Sequence, residues 1–180
     1  MKKLAFIILL FTWFHTFSQQ KNRADNFVLK KNEIKFEIVK LVLIPILEVE
    51  YEHQINFQTS VGGNFAFLPI SSLETLYDFY SDIFVRFYFH NKKYGMSGLF
   101  AQPYLSYLYR SKKEDIITIF KPVMVDAYNS TGIGIALGYK WINKSGISIQ
   151  GLLGLGRNFN KASVLGGYVP RIGIFIGLRL

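Results

Sequence analysis

The sequence predicts an all-β protein, an eight-stranded antiparallel transmembrane β-barrel preceded by a cleavable signal peptide. The clearest of the patterns behind this prediction runs from Thr131 to Ile142, where bulky apolar residues alternate mostly with glycine, alanine or lysine. A period of two is typical of a strand with two unlike faces. Asn143–Gly146 has turn chemistry, and the alternation resumes from Ile147 to Arg157. The stretch is therefore predicted to be a hairpin of two long strands.

The N-terminal segment predicts export. Lys2 and Lys3 precede an apolar run that ends at Phe17, and small or neutral residues lead up to Ser18. This arrangement is typical of a secretory signal peptide, with cleavage predicted after Ser18. The apolar run is too short to span a bilayer as a helix, and an uncleaved anchor or a buried helix is the alternative. Residues 19–31 are polar and are predicted to be a periplasmic lead-in, and residues 32–180 form the predicted barrel domain.

The mature chain would carry an excess of basic residues. Removal of residues 1–18 takes away two of the 21 lysines and arginines and none of the 12 acidic residues, which leaves a formal balance of +7. An exported protein rarely meets nucleic acid, and no basic stripe with interleaved aromatic residues is present. Outer-membrane lipids with anionic headgroups are therefore the predicted partner, and nucleic acid is not. The chain has no cysteine, so closure of every strand edge in a barrel is the expected source of stability.

The alternation downstream of residue 32 divides into eight strands. Their predicted extents are Ile34–Ile38, Leu47–Glu52, Phe57–Phe67, Ile83–His90, Leu99–Arg110, Thr131–Ile142, Ile147–Arg157 and Arg171–Leu180. Each strand carries apolar residues at alternate positions, with small, polar or charged residues between them. Pro103 interrupts the fifth strand, and a β-bulge is predicted there because proline cannot donate a hydrogen bond to a ladder.

The connections between these strands alternate in length after an apolar first loop at Leu41–Ile46. In order, they are Gln54–Asn56, Pro69–Asp82, Asn91–Gly98, Lys112–Asn129, Asn143–Gly146 and Asn158–Pro170. With the N-terminus in the periplasm, the three long connections fall on the extracellular side, as in transmembrane barrels. The short apolar first loop fits this arrangement poorly.

Volume predicts which face of the strands points outward. The interior of an eight-stranded barrel is only just wide enough for side chains to fill it, and the apolar face offers several bulky residues from nearly every strand. The opposite face is rich in glycine, including Gly62, Gly134 and Gly177, and suits a narrow lumen. Lipid is therefore predicted to contact the bulky face. A soluble, lipocalin-like periplasmic barrel would reverse this assignment.

Aromatic residues of the bulky face lie near the predicted strand ends. The predicted periplasmic group is Tyr51, Phe57, Phe87, Phe89, Tyr139 and Trp141, and the predicted outer group is Phe65, Phe67, Tyr107 and Tyr109. Two such girdles are typical of membrane barrels, although aromatic residues favour strands in any setting.

Over residues 32–180 the chain resembles the small eight-stranded outer-membrane barrels of the OmpA/OmpX type. Its junction Phe17-Ser18-Gln19-Gln20 is similar to signal-peptide ends in Bacteroidota. The resemblance implies an outer-membrane location and insertion by the barrel-assembly machinery, which reads the last strand of such proteins. That strand keeps the expected alternation, but Leu180 stands where such barrels commonly have an aromatic residue. We expect a monomer.

Catalysis is an alternative function class. Some barrels that this chain resembles in size hydrolyse or transfer acyl chains of lipopolysaccharide, which requires a nucleophile, a base and usually an orienting carboxylate near the outer leaflet. The mature chain has only His53 and His90, both at predicted periplasmic ends. They also make a poor metal site, so neither a metal nor a cofactor is predicted. The glycines of Gly151–Gly156 superficially resemble a phosphate loop but lie within an alternating strand.

Surface binding is the favoured function class, because a basic rim is predicted at the outer strand ends and outer loops. Its residues are Arg110, Lys112, Lys113, Lys121, Arg157, Lys161 and Arg171. The rim would contact lipopolysaccharide phosphates or another anionic surface component, or it would be an ordinary solvated rim. The sequence thus predicts a structural or surface-binding role.

A charge network is predicted inside the barrel. Strand eight closes against strand one and strand one pairs with strand two, so inward charges from three adjacent strands should meet near the periplasmic end. They are Lys35, Glu37, Glu50, Glu52 and Arg179. Isolated charges in a narrow lumen would be costly, so these groups are predicted to form a hydrogen-bonded plug that blocks solute passage. A wet periplasmic mouth in which the same groups stay hydrated is the alternative.

Overall fold

The computed structural model describes residues 30–43, 46–68, 78–89, 95–110, 113–115, 123–125, 127–159 and 167–180. The predicted signal peptide and most of the predicted lead-in lie outside these ranges. The strands are β1 (Asn32–Glu37), β2 (Leu47–Gln54), β3 (Thr59–Phe67), β4 (Phe79–Tyr88), β5 (Gly98–Arg110), β6 (Lys113–Asp115), β7 (Val123–Val125), β8 (Tyr128–Ile142), β9 (Ile147–Asn158) and β10 (Tyr168–Arg179). A short helix, α1 (Ile38–Leu43), follows β1.

Eight of these strands form a closed antiparallel barrel in the order β1-β10-β9-β8-β5-β4-β3-β2. The ring closes because β1 pairs with β2 along one edge and with β10 along the other. Closure gives both edges of every barrel strand a hydrogen-bonded neighbour. β6 and β7, which lie between β5 and β8 in the sequence, form a separate two-stranded antiparallel sheet. The prediction of an all-β, eight-stranded antiparallel barrel is therefore confirmed.

The two ends of the barrel differ. The turn end carries the short connections at residues 55–58 and 143–146, and the helix end carries α1 and the connections into β4, β8 and β10. In the second short connection, the Asn143 side chain accepts hydrogen bonds from the backbone N–H groups of Ser145 and Ile147. Gly146 follows with a φ of 86°, which glycine adopts without steric cost. This turn chemistry joins β8 to β9 tightly.

Helix α1 occupies much of the predicted first loop. The Glu37 carboxylate accepts hydrogen bonds from the backbone N–H groups of Val39, at 3.2 Å, and Lys40, so Glu37 acts as the N-cap of the helix. Val42 and Leu43 are more than 70% exposed. The apolar residues that fitted a short loop poorly therefore form an exposed helical surface. No helix in the described part of the chain is both long and apolar enough to cross a membrane.

Several strands extend beyond their predicted ends. β4 begins at Phe79 and β10 at Tyr168, both inside predicted loops, and the sheet of β6 and β7 lies within the longest predicted loop. The reason is clearest in β4, where Ser81 and Asp82 have the composition of a loop. In a barrel with a polar interior, however, a polar residue at an inward position continues the strand.

The predicted β-bulge at Pro103 is absent from β5. The strand pairs with β8 without a break, and Pro103 lies opposite Ile135. On the other edge, the register with β4 is the same before and after the proline, at Phe84–Tyr104 and at Phe87–Ala101. The missing N–H therefore leaves a local gap in one ladder but does not add a residue to the strand.

The structure places the bulky apolar face outside and the charged face inside, as predicted. Outward-facing Leu137 and Tyr139 are each 58% exposed, whereas Lys35, Arg86 and Lys140 are fully buried. The aromatic residues of both predicted girdles are exposed on the outer wall.

Candidate functional site in the lumen and at the rim

Glycines on β8 leave room for aromatic rings from β5. A Cβ atom at Gly134 would lie 2.3 Å from Cζ of Tyr104, and one at Gly138 would lie 2.4 Å from Cζ of Phe100. Each ring belongs to the residue directly opposite its glycine in the register of the two strands. The rings occupy the space that side chains at these positions would need, so the glycine-rich face is the face that can line the lumen.

Glu52 lies at the centre of a charged cluster in the lumen. Its Oε2 atom accepts hydrogen bonds from Arg86 Nη1 at 2.5 Å, from Lys140 Nζ at 2.6 Å and from Lys35 Nζ. Lys140 Nζ also donates to Glu33 Oε2 at 2.9 Å. A single carboxylate oxygen thus binds three cations, each from a different strand.

Glu50 provides a second anionic position in the same cluster. Its Oε1 atom accepts hydrogen bonds from Lys35 Nζ at 2.6 Å and from Arg86 Nη2 at 3.1 Å. The Gln150 amide oxygen accepts from the same two cations, at 3.1 and 2.8 Å, and Gln102 accepts from Arg86 Nε at 3.0 Å. The guanidinium of Arg86 is therefore bound along its whole edge, as its fixed geometry allows.

Hydroxyl groups bind the second carboxylate oxygens of Glu52 and Glu33. Tyr88 donates to Glu52 Oε1 at 2.6 Å, and Ser60 donates to the same atom. Ser148 donates to Glu33 Oε1. These contacts satisfy acceptors that would otherwise be costly to bury.

The cluster is balanced in charge and removed from solvent. We call it the lumen cluster and define it as Lys35, Arg86, Lys140, Glu33, Glu50 and Glu52. All six side chains have an exposure of 0%, and the three positive charges match the three negative ones. Burial of so many charges is tolerable because each is paired and hydrogen-bonded.

A second ion pair lies in the lumen and is held differently. Arg171 Nη1 is 2.7 Å from Asp82 Oδ2, and Arg171 Nη2 is 3.9 Å from Glu50 Oε2. The guanidinium carbon of Arg171 lies 4.9 Å from the ring centre of Tyr104. Among the described residues, the guanidinium nitrogens of Arg171 and the carboxylate oxygens of Asp82 form no hydrogen bond of good geometry. Charge attraction and the stacking of Arg171 on Tyr104 therefore hold this pair in place.

Three of the five predicted network residues meet in the lumen cluster, namely Lys35, Glu50 and Glu52. Glu37 is buried but lies two residues further toward the helix end than Lys35. There it caps α1 and accepts a hydrogen bond from the backbone N–H of Ile174 at 3.0 Å. The prediction placed Glu37 too close to the turn end, because β1 ends at Glu37, one residue before its predicted end, and runs directly into the helix.

Arg179, the fifth predicted residue, binds at the turn end instead. It donates to the backbone carbonyl groups of Lys30, at 2.6 Å, and Gly95, at 3.2 Å, and to the Gln54 side chain. These contacts tie the last strand to the segments before β1 and β5. Arg179 therefore fastens this end of the barrel.

The predicted basic rim is not one surface. Arg110 and Arg171 are 2% and 5% exposed, and their placement at the rim is wrong because both share the inward parity of β5 and β10. Arg157 is exposed at the helix end, and its guanidinium carbon lies 5.9 Å from the ring centre of Tyr168. Outside the part of the chain that the structure describes lie Lys112, Lys121, Lys161 and the side chain of Lys113.

Sequence reasoning missed Glu33, Arg86 and Lys140 as members of the lumen cluster. The prediction joined inward charges from strands that are adjacent in the sheet, but β4 and β8 are not adjacent to β1 or β2. Arg86 and Lys140 reach Glu52 across the lumen. Both have the inward parity, so parity combined with the narrow diameter of an eight-stranded barrel was the available signal.

Apolar side chains cover the lumen at both ends. Toward the turn end, Met96 has an exposure of 0% and packs in a cluster with Tyr88 and Phe100. Toward the helix end, Leu68 and Leu108 belong to a second buried cluster. The charged interior is therefore separated from solvent along the barrel axis.

Among the described residues, the serine hydroxyls that contact carboxylates in the lumen are buried, and the one described histidine lies apart from them. The hydroxyls of Ser60 and Ser148 contact carboxylates, but both residues have an exposure of 0%. His53 Nδ1 lies 2.7 Å from Asn32 Oδ1 at the turn end, and His90 lies outside the described residues. In the described ranges, no group of three or more histidine, cysteine, aspartate or glutamate residues is placed to hold a metal ion.

The fold and the lumen define a class of protein, a closed eight-stranded antiparallel β-barrel with a charged, filled interior and an apolar outer wall. No protein-family model matches the chain, and neither a curated protein nor a solved structure matches it. The function therefore has to follow from the chemistry of the wall, the lumen and the rim.

Proposed function

We propose that this chain is a monomeric outer-membrane protein, exported by its signal peptide and inserted by the barrel-assembly machinery, with a structural or surface-binding role and no catalysis. The observation that carries the proposal is the inverted polarity of the barrel wall. Ile83, Ile135 and Leu137 are each at least 58% exposed, while the side chains of the lumen cluster are fully buried. Water penalises such an outer face. The hydrocarbon core of a bilayer accepts an apolar outer face. A protein in that core must also pair all of its backbone hydrogen-bonding groups, as the closed ladder of this barrel does.

The distribution of aromatic residues supports the same proposal. Tyr139 and Trp141 are exposed near the turn end, and Tyr107 and Tyr109 are exposed near the helix end. Amphipathic rings at both ends of an apolar wall would lie at the two headgroup layers of a bilayer.

The surface-binding part of the proposal rests on the helix end. Arg157 is exposed there, and the predicted rim lysines follow or precede the strands that end there. Their cationic groups would contact lipopolysaccharide phosphates or another anionic surface component. Arg110 and Arg171 do not contribute, because they face the lumen.

The alternatives draw less support from the described residues. A lipid-modifying acyl hydrolase or transferase needs a nucleophile that its substrate can reach, whereas Ser60 and Ser148 are sealed in the lumen. A soluble lipocalin-like barrel needs a polar outer wall and an apolar interior, which is the reverse of the observed arrangement.

Membrane fractionation tests the proposal. The protein should sediment with outer membranes, and unheated and boiled samples should migrate differently in SDS gels, because a closed ladder resists SDS until it is heated. A soluble periplasmic protein would contradict the proposal.

A pair of lysine substitutions makes the test specific to the wall. Leu137→Lys places a charge on the proposed lipid face and should lower the amount of assembled barrel, since a lysine near the bilayer centre costs about 2 to 4 kcal/mol. Ser145→Lys, in the exposed turn after β8, is the control and should assemble normally. A barrel that accumulates equally in both variants would instead indicate a wall that contacts water.

A further inference from the structure

A groove crosses the outer wall of the barrel and encloses about 800 Å³. Two rows of outward-facing residues form its sides, because residues that are paired across adjacent strands stand in line. One row is Ile83, Leu105, Ile133, Arg157 and Tyr168. The other is Val61, Val85, Pro103, Ile135 and Leu155, in which Val85 and Pro103 lie in register across the gap in the ladder of β4 and β5. Bare backbone forms the floor between the rows, since Gly62, Gly134 and Gly156 point inward.

The groove is wide because short side chains border it. Val61, Val85 and Pro103 stand along one side, and Gly63, in line with Ile83, has no side chain. Elsewhere the wall carries larger groups, such as the pair of Phe87 and Phe89. The lining is almost entirely apolar, so it fits a hydrocarbon chain and not a polar ligand.

The groove climbs from the turn end toward the helix end. It crosses five strand-to-strand intervals of about 4.8 Å each, or roughly 24 Å in all. In a barrel whose strands tilt by about 40°, this path rises by about 15 Å along the axis. The rise equals the depth of one leaflet, which is half of a hydrocarbon core about 30 Å thick.

The upper end of the groove carries a positive charge. Arg157 and Tyr168 line it there and face each other in the register of β9 and β10. Arg157 is exposed, and none of the described residues forms an ion pair with it. An apolar groove of leaflet depth thus ends beneath a cation that has no ion-pair partner among the described residues and could bind an anion.

We propose that this groove is a binding site for one acyl chain of a phosphate-bearing lipid, with the phosphate on Arg157. The inference rests on the proposed membrane location, since the groove would otherwise face water. It goes further because it assigns the contact to one position on the wall, with a specified orientation. Tyr168 holds the guanidinium by ring stacking and lies at the level of the headgroup.

Native mass spectrometry of the full protein, purified from membranes in mild detergent and then delipidated, tests the site. Three probes separate the contributions, namely phosphatidylglycerol, a diacylglycerol with the same chains, and glycerol phosphate. Phosphatidylglycerol should bind with one copy retained per barrel. Diacylglycerol should bind about tenfold more weakly, as expected for the loss of one charge-assisted hydrogen bond, and glycerol phosphate should not be retained.

Matched variants locate the binding. Arg157→Gln and Ile135→Trp, which fills the groove, should each lower retention of phosphatidylglycerol about tenfold. Lys144→Gln removes an exposed charge at the turn end, and Ile174→Trp enlarges an exposed residue of β10 that does not line the groove, so neither should change retention. All four positions face outward, and heat-dependent gel migration confirms that each variant forms the barrel.

Three results would overturn the inference. Equal retention in all four variants would show unspecific lipid, strong binding of glycerol phosphate would show a phosphate site without an acyl chain, and a dimer lost in Ile135→Trp would assign the groove to a second copy. A protein that never fractionates with membranes would contradict the proposed function, whereas a membrane barrel that retains no lipid would contradict this inference alone.

Discussion

At the scale of single residues, the pairing of the buried charges in the lumen depends on Glu52. Its carboxylate binds Lys35, Arg86 and Lys140 at once, and the side chains of all three cations have an exposure of 0%. In a site removed from water, the loss of one member leaves the opposite charges unpaired, and this is more costly than replacement of the whole group by apolar residues.

Substitutions of Glu52 and Arg86 should therefore be strongly coupled. Glu52→Gln and Arg86→Met should each lower the free energy of unfolding by about 3 to 5 kcal/mol if the cluster is dry. The double variant should lose less than the sum by more than about 1 kcal/mol, because the two changes remove opposite charges from one site. Unfolding by guanidinium in detergent micelles measures each value.

Arg179 and Glu50 supply the matched control cycle. Arg179 binds at the turn end, away from the Glu50 carboxylate, so Arg179→Ala and Glu50→Ala should be additive to within about 0.5 kcal/mol. If the Glu52 and Arg86 cycle is also additive, the cluster is wet, and single losses should fall to about 1 kcal/mol or less.

At the scale of the strands, inward glycines determine which rings fit into the lumen. A Cβ atom at the inward-facing Gly134 would lie 2.3 Å from Tyr104, whereas one at Gly151, which faces outward, would meet nothing within 4 Å. Both glycines lie inside long strands, so backbone propensity acts on them alike and only the surroundings differ.

Gly134→Ala should therefore destabilise the barrel by about 1 to 3 kcal/mol through overpacking. Gly151→Ala should change the free energy of unfolding by no more than about 0.5 kcal/mol, and Tyr104→Ala should relieve part of the Gly134→Ala cost in the double variant. Equal effects of the two glycine substitutions in the same unfolding assay would show that lumen packing does not decide the outcome.

The sequence predicts the strands well and their ends poorly, for a physical reason. Alternation along most of β8 and β9 has a period of two, and only one face can fill a narrow lumen, so both the strands and their inward face follow from the pattern. Polar residues at a strand end are ambiguous, because an inward position and a loop favour the same residue types. For this reason the sequence predicts a loop at Asp82 and a rim position for Arg171, whereas both side chains lie in the lumen.

At the scale of the whole molecule, the two ends of the barrel predict an orientation in the membrane. The long connections lie at the helix end, which would face outward, and the short turns would face the periplasm. Ser130, at the edge of a predicted outer loop, is only 4% exposed and could not report on this orientation. Ala127, just before β8, is exposed.

A cysteine at position 127 (Ala127→Cys) should react with an impermeant maleimide on intact cells, and one at position 145 (Ser145→Cys) should react only after the outer membrane is opened. The chain has no native cysteine, so the background is clean. Labelling of Ser145→Cys alone on intact cells would invert the topology.

The sequence does not predict which side chains meet across the lumen. Strand adjacency can be inferred from chain order, and this inference brought Lys35, Glu50 and Glu52 together. Arg86 and Lys140 join them through the interior, and such contacts depend on the stagger of the ring, which hydrophobic alternation does not encode.

The barrel wall has unequal height around its circumference. β1 spans six residues and β8 spans fifteen, which correspond to about 20 and 50 Å of strand. In a bilayer, the side formed by β1 would match a thinner hydrocarbon layer than the side formed by β8, and the apolar surface of α1 would make up only part of this hydrophobic mismatch. The surrounding lipid would have to thin on one side, or the barrel would tilt. In a crowded membrane, one side of the barrel would thus face neighbouring proteins more often than the other. The difference in wall height would cause this preference, without any specific contact between the proteins.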